Sequence, residues 1–202
     1  MLDGKGEVLD LEDSGLGEAA IEVQAKGMGG EFGQWKEWNF TESLDWHLLK
    51  PPSNPLHVQL QSFLRDLNSL YTKEPALSEQ DNQQEGFSWI DPHDSDQSVV
   101  SFMRRTKNKE DTLIFICNFT PVPRHGYRVG VPDAGEYYEV LNSDSATYGG
   151  SGLENKQSMP SGSMFWQSCP HSILLTLPPL ATIILKRKPG DLEEVGNTSH
   201  ES

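Results

Sequence analysis

The chain has 202 residues, enough for one ordinary domain with appendages, and its 35% apolar content with 18 glycines and 13 prolines suits a globular protein rich in turns. A formal net charge of −14 speaks against phosphate-backbone binding and against anionic membrane surfaces, since both call for a basic face. No apolar run approaches the ~20 residues that span a bilayer, and the opening "MLDGKGEVLDLEDSG" is too acidic for a signal peptide, so the expected compartment is the cytoplasm.

Residues 1–26 are dense in acid and glycine without a capped periodic segment, and read as a disordered leader. Next comes "GMGGEFGQWKEWNF" at 27–40, which joins a glycine turn to Glu31, Trp35 and Trp38 and ends near Asn39. Flat indole faces stack on pyranose rings and a carboxylate binds hydroxyls, so this loop is the foremost candidate for the rim of a sugar site. Glu31, Glu37 and Asp45 are close enough in sequence to be weighed as a glycosidase pair. Retention needs two carboxylates about 5 Å apart on separate rigid elements, and one loop does not supply that. His47 and Trp46 in "LDWHLL" lie among apolar residues and read as packed side chains.

A helix follows. Leu56, Leu60, Phe63, Leu64, Leu67, Leu70 and Tyr71 recur on one helical face, with Asn54 as N-cap, Pro55 at the first helical position and Pro75 as the stop. From about residue 86 the pattern turns to short runs rich in β-branched and aromatic residues: "GFSWI", "SVVSFMRR", "TLIFICNF", "GYRVGV", "YYEVLN", "SILLTL" and "ATIILKR". Runs at this spacing predict an antiparallel β-sandwich. Within them Trp89 and Cys117 are expected in the core, and "GGSG" at 149–152 is expected to be a long hairpin loop, not a linker.

Chemistry-bearing motifs are sparse. There is no G-x-S-x-G, and "GMGGEFG" lacks the Lys-Ser/Thr of a phosphate-binding loop. Cys117, Cys169, His125 and His171 match no zinc spacing, so no metal is expected, and His125 reads as a structural hydrogen-bonding residue. "NFT" at 39–41 and 118–120 and "NTS" at 197–199 read as chance sequons, and 189–202 as a disordered polar tail.

In order, "MGGEFGQWKEWN", "SLDWHLL", "LQSFLRDLNSLYTKEPAL", "EGFSWID", "ICNFTPVPRHGYRVGVPDAGEYYEVLNSDSATYGGSG" and "HSILLTLPPLATIILK" resemble the C-terminal part of bacterial-type 1,4-alpha-glucan branching enzymes, members of the alpha-amylase family. The likeness runs from about Met28 to Lys186, with "NFTPVPRHGY" and "LPPLAT" its most specific pieces.

The resemblance implies a mainly β fold. Residues 27–85 would be the remnant of the end of a (β/α)8 catalytic barrel, a loop and one amphipathic helix, and 86–188 the all-β C-terminal sandwich. It implies a glycogen-building reaction that needs no metal or organic cofactor, in which an alpha-1,4 bond is cleaved with retention and the covalently held chain passes to a glucan 6-hydroxyl. The family's catalytic carboxylates lie upstream of everything matched, so this chain is expected to carry none and to be inactive alone. Glu31, Trp35, Trp38 and Asn39 become the implied substrate contacts. The alternatives are a glucan-binding module that stacks sugar on Trp35, Trp38, Trp46, Trp89 or Trp166, and a module that complements a separate barrel fragment docked on the open apolar face of the helix.

Overall fold

The computed structural model of the protein describes residues 29–36, 39, 41–52, 54–109 and 111–189. The expected leader at 1–26, Glu37, Trp38 and the tail beyond Pro189 lie outside the described residues.

The helix α1 forms over Leu56–Lys73. The Asn54 side chain accepts a hydrogen bond from the Leu56 N–H at 3.0 Å and its carbonyl one from His57 N–H at 3.4 Å, so the first turn is capped where the sequence predicts. Glu74 is already extended and Pro75 opens a separate 3-10 turn, Pro75–Leu77. Eight strands follow: β1 (Phe87–Asp94), β2 (Val99–Arg105), β3 (Thr112–Asn118), β4 (Arg124–Val131), β5 (Glu136–Asn142), β6 (Met159–Pro160), β7 (His171–Leu177) and β8 (Ala181–Arg187). Only β6, two residues long, is absent from the sequence reading.

Two antiparallel sheets result, a six-stranded one in the order β1-β2-β3-β8-β5-β6 and a two-stranded one, β4-β7. Val99, Met103, Ile114, Ile116, Ile183 and Leu185 from the large sheet meet Val129, Val131, Ile173, Leu175 and Leu177 from the small one in a single closed core. Full burial of each such aliphatic side chain stabilises the fold by about 1.5–3 kcal/mol.

The central strands β3 and β8 are covered on both faces. Their alternate residues Leu113, Phe115 and Ile184 point the other way, into a second cluster with Ala76, Leu77 and Tyr148, against which Phe63, Leu67 and Leu70 of α1 pack. Two-sided covering is why "TLIFICN" and "ATIILKR" are nearly continuous apolar runs, not alternating ones. The helix is therefore a third layer on the large sheet. Phe63, Leu67 and Leu70 of its apolar face pack on the sandwich and are partly buried there, so the face is not left open as the docking alternative requires. Tyr71, placed on that face by periodicity, is 50% exposed because it sits at the margin of the contact.

Polar groups tie helix to sheet. Lys186 Nζ lies 2.7 Å from Glu74 and 3.4 Å from Asp111. Burial pulls this ammonium's pKa down, but the Glu74 hydrogen bond and charge, with Asp111, more than offset that and leave it above the usual lysine range. Tyr148 donates to Asp66 of α1 at 3.0 Å and meets the Phe63 ring edge-on at 5.2 Å.

The two most family-specific motifs turn out to be halves of one corner. Asn118, 1% exposed, donates from Nδ2 to the Val122 and Pro178 carbonyls and accepts at Oδ1 from the Thr120 N–H and hydroxyl. Leu180 N–H closes the corner on the Thr120 carbonyl at 2.9 Å. One buried amide thus fastens "NFTPVP" to "LPPLAT", and no glycan fits on it. The "GGSG" segment is likewise fixed, as a wrapped β5–β6 hairpin loop. Asp144 accepts from the Ser151 and Leu153 N–H groups, and a Cβ at Gly150 would overlap the Asp144 backbone.

Trp89 is not in the core. It is 55% exposed on the outer side of β1, edge-on to Phe87 and Phe102, while its neighbour Ile90 turns inward at 6%.

Candidate functional site

The glycine turn is a single 3-10 turn, Gly30–Phe32, with left-handed residues on both sides, Gly29 at φ 82° and Gly33 at φ 64°. Any side chain is strained at such angles. At Gly33 a Cβ would also sit 3.1 Å from Leu60 Cδ2 of the helix. This close approach lets Phe32, 1% exposed, lie against α1. There His57, one of the two buried side chains of α1, places Nδ1 2.8 Å from the Phe32 carbonyl. A carbonyl only accepts, so Nδ1 carries the proton.

Round this anchor stand two half-open indoles. Trp35 meets the His57 ring edge-on at 5.7 Å and is 56% exposed, and Trp46 lies 5.5 Å from the Phe32 ring and is 51% exposed. The expectation that Trp46 is core fails because its 3-10 turn, Trp46–Leu49, buries only Leu48. His47, read as packed, is exposed on the same turn, and His125 is exposed as well.

The remaining loop is held by polar contacts. Lys36 Nζ reaches Glu42 at 3.3 Å and Asp45 at 3.5 Å, and the two carboxylates hold its ammonium above the usual lysine range. Asp45 is buried and receives the lysine, while its N–H donates to Gln34 Oε1 at 3.2 Å. It is a structural carboxylate, which removes it from any glycosidase pair. Asn39 Oδ1 accepts from the Thr41 N–H at 3.0 Å and from the Thr41 hydroxyl at 2.7 Å. Its amide oxygen therefore closes a local turn. Glu31 is exposed on the 3-10 turn. Of the four residues singled out from sequence, Glu31 and Trp35 share this docked loop, Asn39 lies just beyond it, and Trp38 is outside the described residues. Sequence reasoning missed His57 and the outward face of Trp46. No local signal marked His57, because its partner, the Phe32 carbonyl, lies 25 positions away in the chain.

Among the described residues no three His, Cys, Asp or Glu side chains gather as a metal site, and no helix is long and apolar enough to cross a membrane.

Residues 89–188 match the family described as alpha amylase, C-terminal all-beta domain. The sandwich belongs to that family. The chain is also 50% identical over 159 residues to a 1,4-alpha-glucan branching enzyme of Halothermothrix orenii, a match covering 79% of this chain and 25% of that protein. With a 1,4-alpha-glucan branching enzyme of Aquifex aeolicus it shares 48% identity over 161 residues, 80% of this chain and 25% of the relative. These alignments are longer than the alpha-amylase sandwich, so the similarity takes in residues outside it. The chain spans about a quarter of the length of the curated relatives it matches. Among solved structures, an alpha-amylase from H. orenii aligns with 86% of this chain and 35% of its own at 16% identity and a TM-score of 0.45.

Proposed function

We propose that this chain is the non-catalytic C-terminal portion of a cytoplasmic 1,4-alpha-glucan branching enzyme, divided into a barrel remnant up to residue 85 and the sandwich from 86. The high identity to branching enzymes supports the assignment. The observation that carries the division of labour is the open side of the docked loop: Trp35, Trp46 and, on the first turn of α1, Val58 at 43% remain exposed, with nothing among the described residues covering them. Relatives about four times as long bring a further body of chain, and a catalytic barrel is the occupant that fits a site rim. In that assembly Trp35 and Trp38 present stacking faces, and Glu31 and the Asn39 amide nitrogen meet glucan hydroxyls. The reacting carboxylates come from the barrel, because transfer with retention needs a nucleophile and an acid about 5 Å apart and Asp45 is committed to Lys36.

Purified chain incubated with amylose is expected to leave the iodine colour unchanged. Addition of an H. orenii branching enzyme fragment lacking the matched segment should restore branching, and Trp46→Ala should weaken that restoration. Branching by the chain alone overturns the reading. Failure of the two pieces to associate overturns the docking surface.

A further inference from the structure

Where β1 and β4 border each other, the flank of the sandwich opens into a cleft of about 550 Å³, and none of its lining residues belongs to the docked loop on α1. That volume is in the range of small-molecule sites, about 300–1,000 Å³. Both strands are irregular here. The β1 register breaks between Trp89 and Asp91 and again before Asp94. That of β4 breaks between Arg124 and Tyr127, where Gly126 takes a φ of 65° and His125 stands exposed. Bulges of this kind re-aim side chains.

One wall of the cleft is the tight turn Trp166–Cys169, closed by Trp166 N–H to Cys169 O at 3.0 Å and Cys169 N–H to Trp166 O at 2.9 Å. Its central residues are left-handed without being glycine, Gln167 at φ 47° and Ser168 at φ 62°. Asn-Gly ordinarily fills such a turn, and strain of this sort gathers at binding sites. The turn is held by its own side chain: Gln167 Nε2 donates to Asp91 at 2.9 Å, and Gln167 Oε1 accepts from the Gly130 N–H at 2.9 Å. A Cβ at Gly130 would overlap the Trp166 carbonyl. Beside Gln167, Tyr127 donates to Asp94 at 2.9 Å, and burial, with Asp94, pushes its hydroxyl well above the usual range, so it remains a donor.

The polar groups are thus fixed before any ligand arrives, and beside them Trp166 keeps 43% of its surface in water, next to the exposed Met164 and Phe165. Two carboxylates, Asp91 and Asp94, balance two guanidinium groups, Arg124 and Arg128, on a chain whose net charge is −14. Such a lining favours neither an anion nor a cation. It suits a neutral polyhydroxylated ring that offers C–H groups to an indole and hydroxyls to planar amides, carboxylates and imidazoles.

We propose that this cleft is a second, non-catalytic glucan-binding site, in which Trp166 stacks a glucose ring and Asp91, His93 and His125 hold its hydroxyls, the Gln167 amide fixing the turn that carries the indole. The choice of an alpha-1,4-glucan among neutral sugars rests on the functional reading above.

Calorimetric titration of the full 202-residue chain with maltoheptaose tests it. The unaltered chain and Phe119→Ala should bind alike, Trp166→Ala should bind about tenfold more weakly or worse, and His125→Ala a few-fold more weakly. Absence of maltoheptaose binding, or unaltered affinity in both Trp166→Ala and His125→Ala, overturns the site. Equal binding of cellohexaose overturns the alpha-glucan assignment. A failed titration leaves the restoration of branching untouched, and failed restoration leaves the titration untouched, so the two readings fall separately.

Discussion

Between the two sheets, Ile114, Ile116, Val129, Ile173 and Ile183 are all at most 1% exposed, each strand being backed by a layer on the far side. At the docked loop the situation differs: Phe32 is closed off at 1%, while Trp35 and Trp46, either side of it, keep about half their surface open. Both regions are rich in large apolar side chains. What separates them is the number of layers, for the sandwich supplies its own cover and the loop has only the helix behind it. Composition is therefore a poor guide to burial where an element is backed on one side.

Substitutions probe this contrast directly. The largest effect is expected for Ile116→Ala in the sandwich core, about 3–4 kcal/mol by urea denaturation, from lost transfer energy and a cavity that two packed sheets cannot close. Phe32→Ala should cost less of the global stability, because the loop can open without the sandwich, and should appear chiefly as lost amide-exchange protection around residues 29–36 with the sandwich protection retained. Equal loss of protection in both regions would break the comparison.

A smaller effect falls at the joint between them. Tyr148→Phe removes the hydrogen bond to Asp66 and should cost about 1 kcal/mol at neutral pH. Burial pushes Tyr137 and Tyr148 up to about 12, the Asp66 hydrogen bond adding to the shift at Tyr148. In the unfolded chain both ionise near pH 10. The unfolded state thus loses these protons first as pH rises, and stability should fall between roughly pH 10 and 12, with Lys186 acting in the same direction. Tyr148→Phe should flatten part of that fall in a thermal-melting pH series, and an unchanged slope would count against the burial of this hydroxyl. The smallest effect is expected for Trp46→Ala, below about 1 kcal/mol in the isolated chain, because half the indole is already in water. A loss comparable to Ile116→Ala would place it in a core.

Much of this was legible from the chain itself. Seven strands, the capped helix and the "GGSG" hairpin loop followed from periodicity and turn chemistry, because β-branched runs and an Asn-Pro cap carry their signals within a few residues. Trp46 and Trp89 depart from the sequence expectation because apolar neighbours in the chain do not fix which way a side chain faces. Neighbouring residues of a strand face opposite ways, and in β1 Trp89 turns out while Ile90 turns in. Of the loop on α1, Glu31 and Trp35 were visible as residue types, whereas the His57 bond to the Phe32 carbonyl joins positions 25 apart and left no local mark. The flank cleft was hidden for the same reason, being assembled from β1, β4 and the turn at Trp166–Cys169.

The rims of the six-stranded sheet have a further bearing. A sheet edge is a row of unpaired amides that another chain can extend, and Trp89 and Phe102 beside β1 would make such an addition sticky. Yet β1 carries Pro92 inside its second register break, between Asp91 and Asp94, and the opposite rim, β6, ends on Pro160 after only two residues. Proline has no N–H to give to a neighbouring strand. Each border of the sheet is interrupted by one, so strand-by-strand growth into a fibre meets a broken template at both ends.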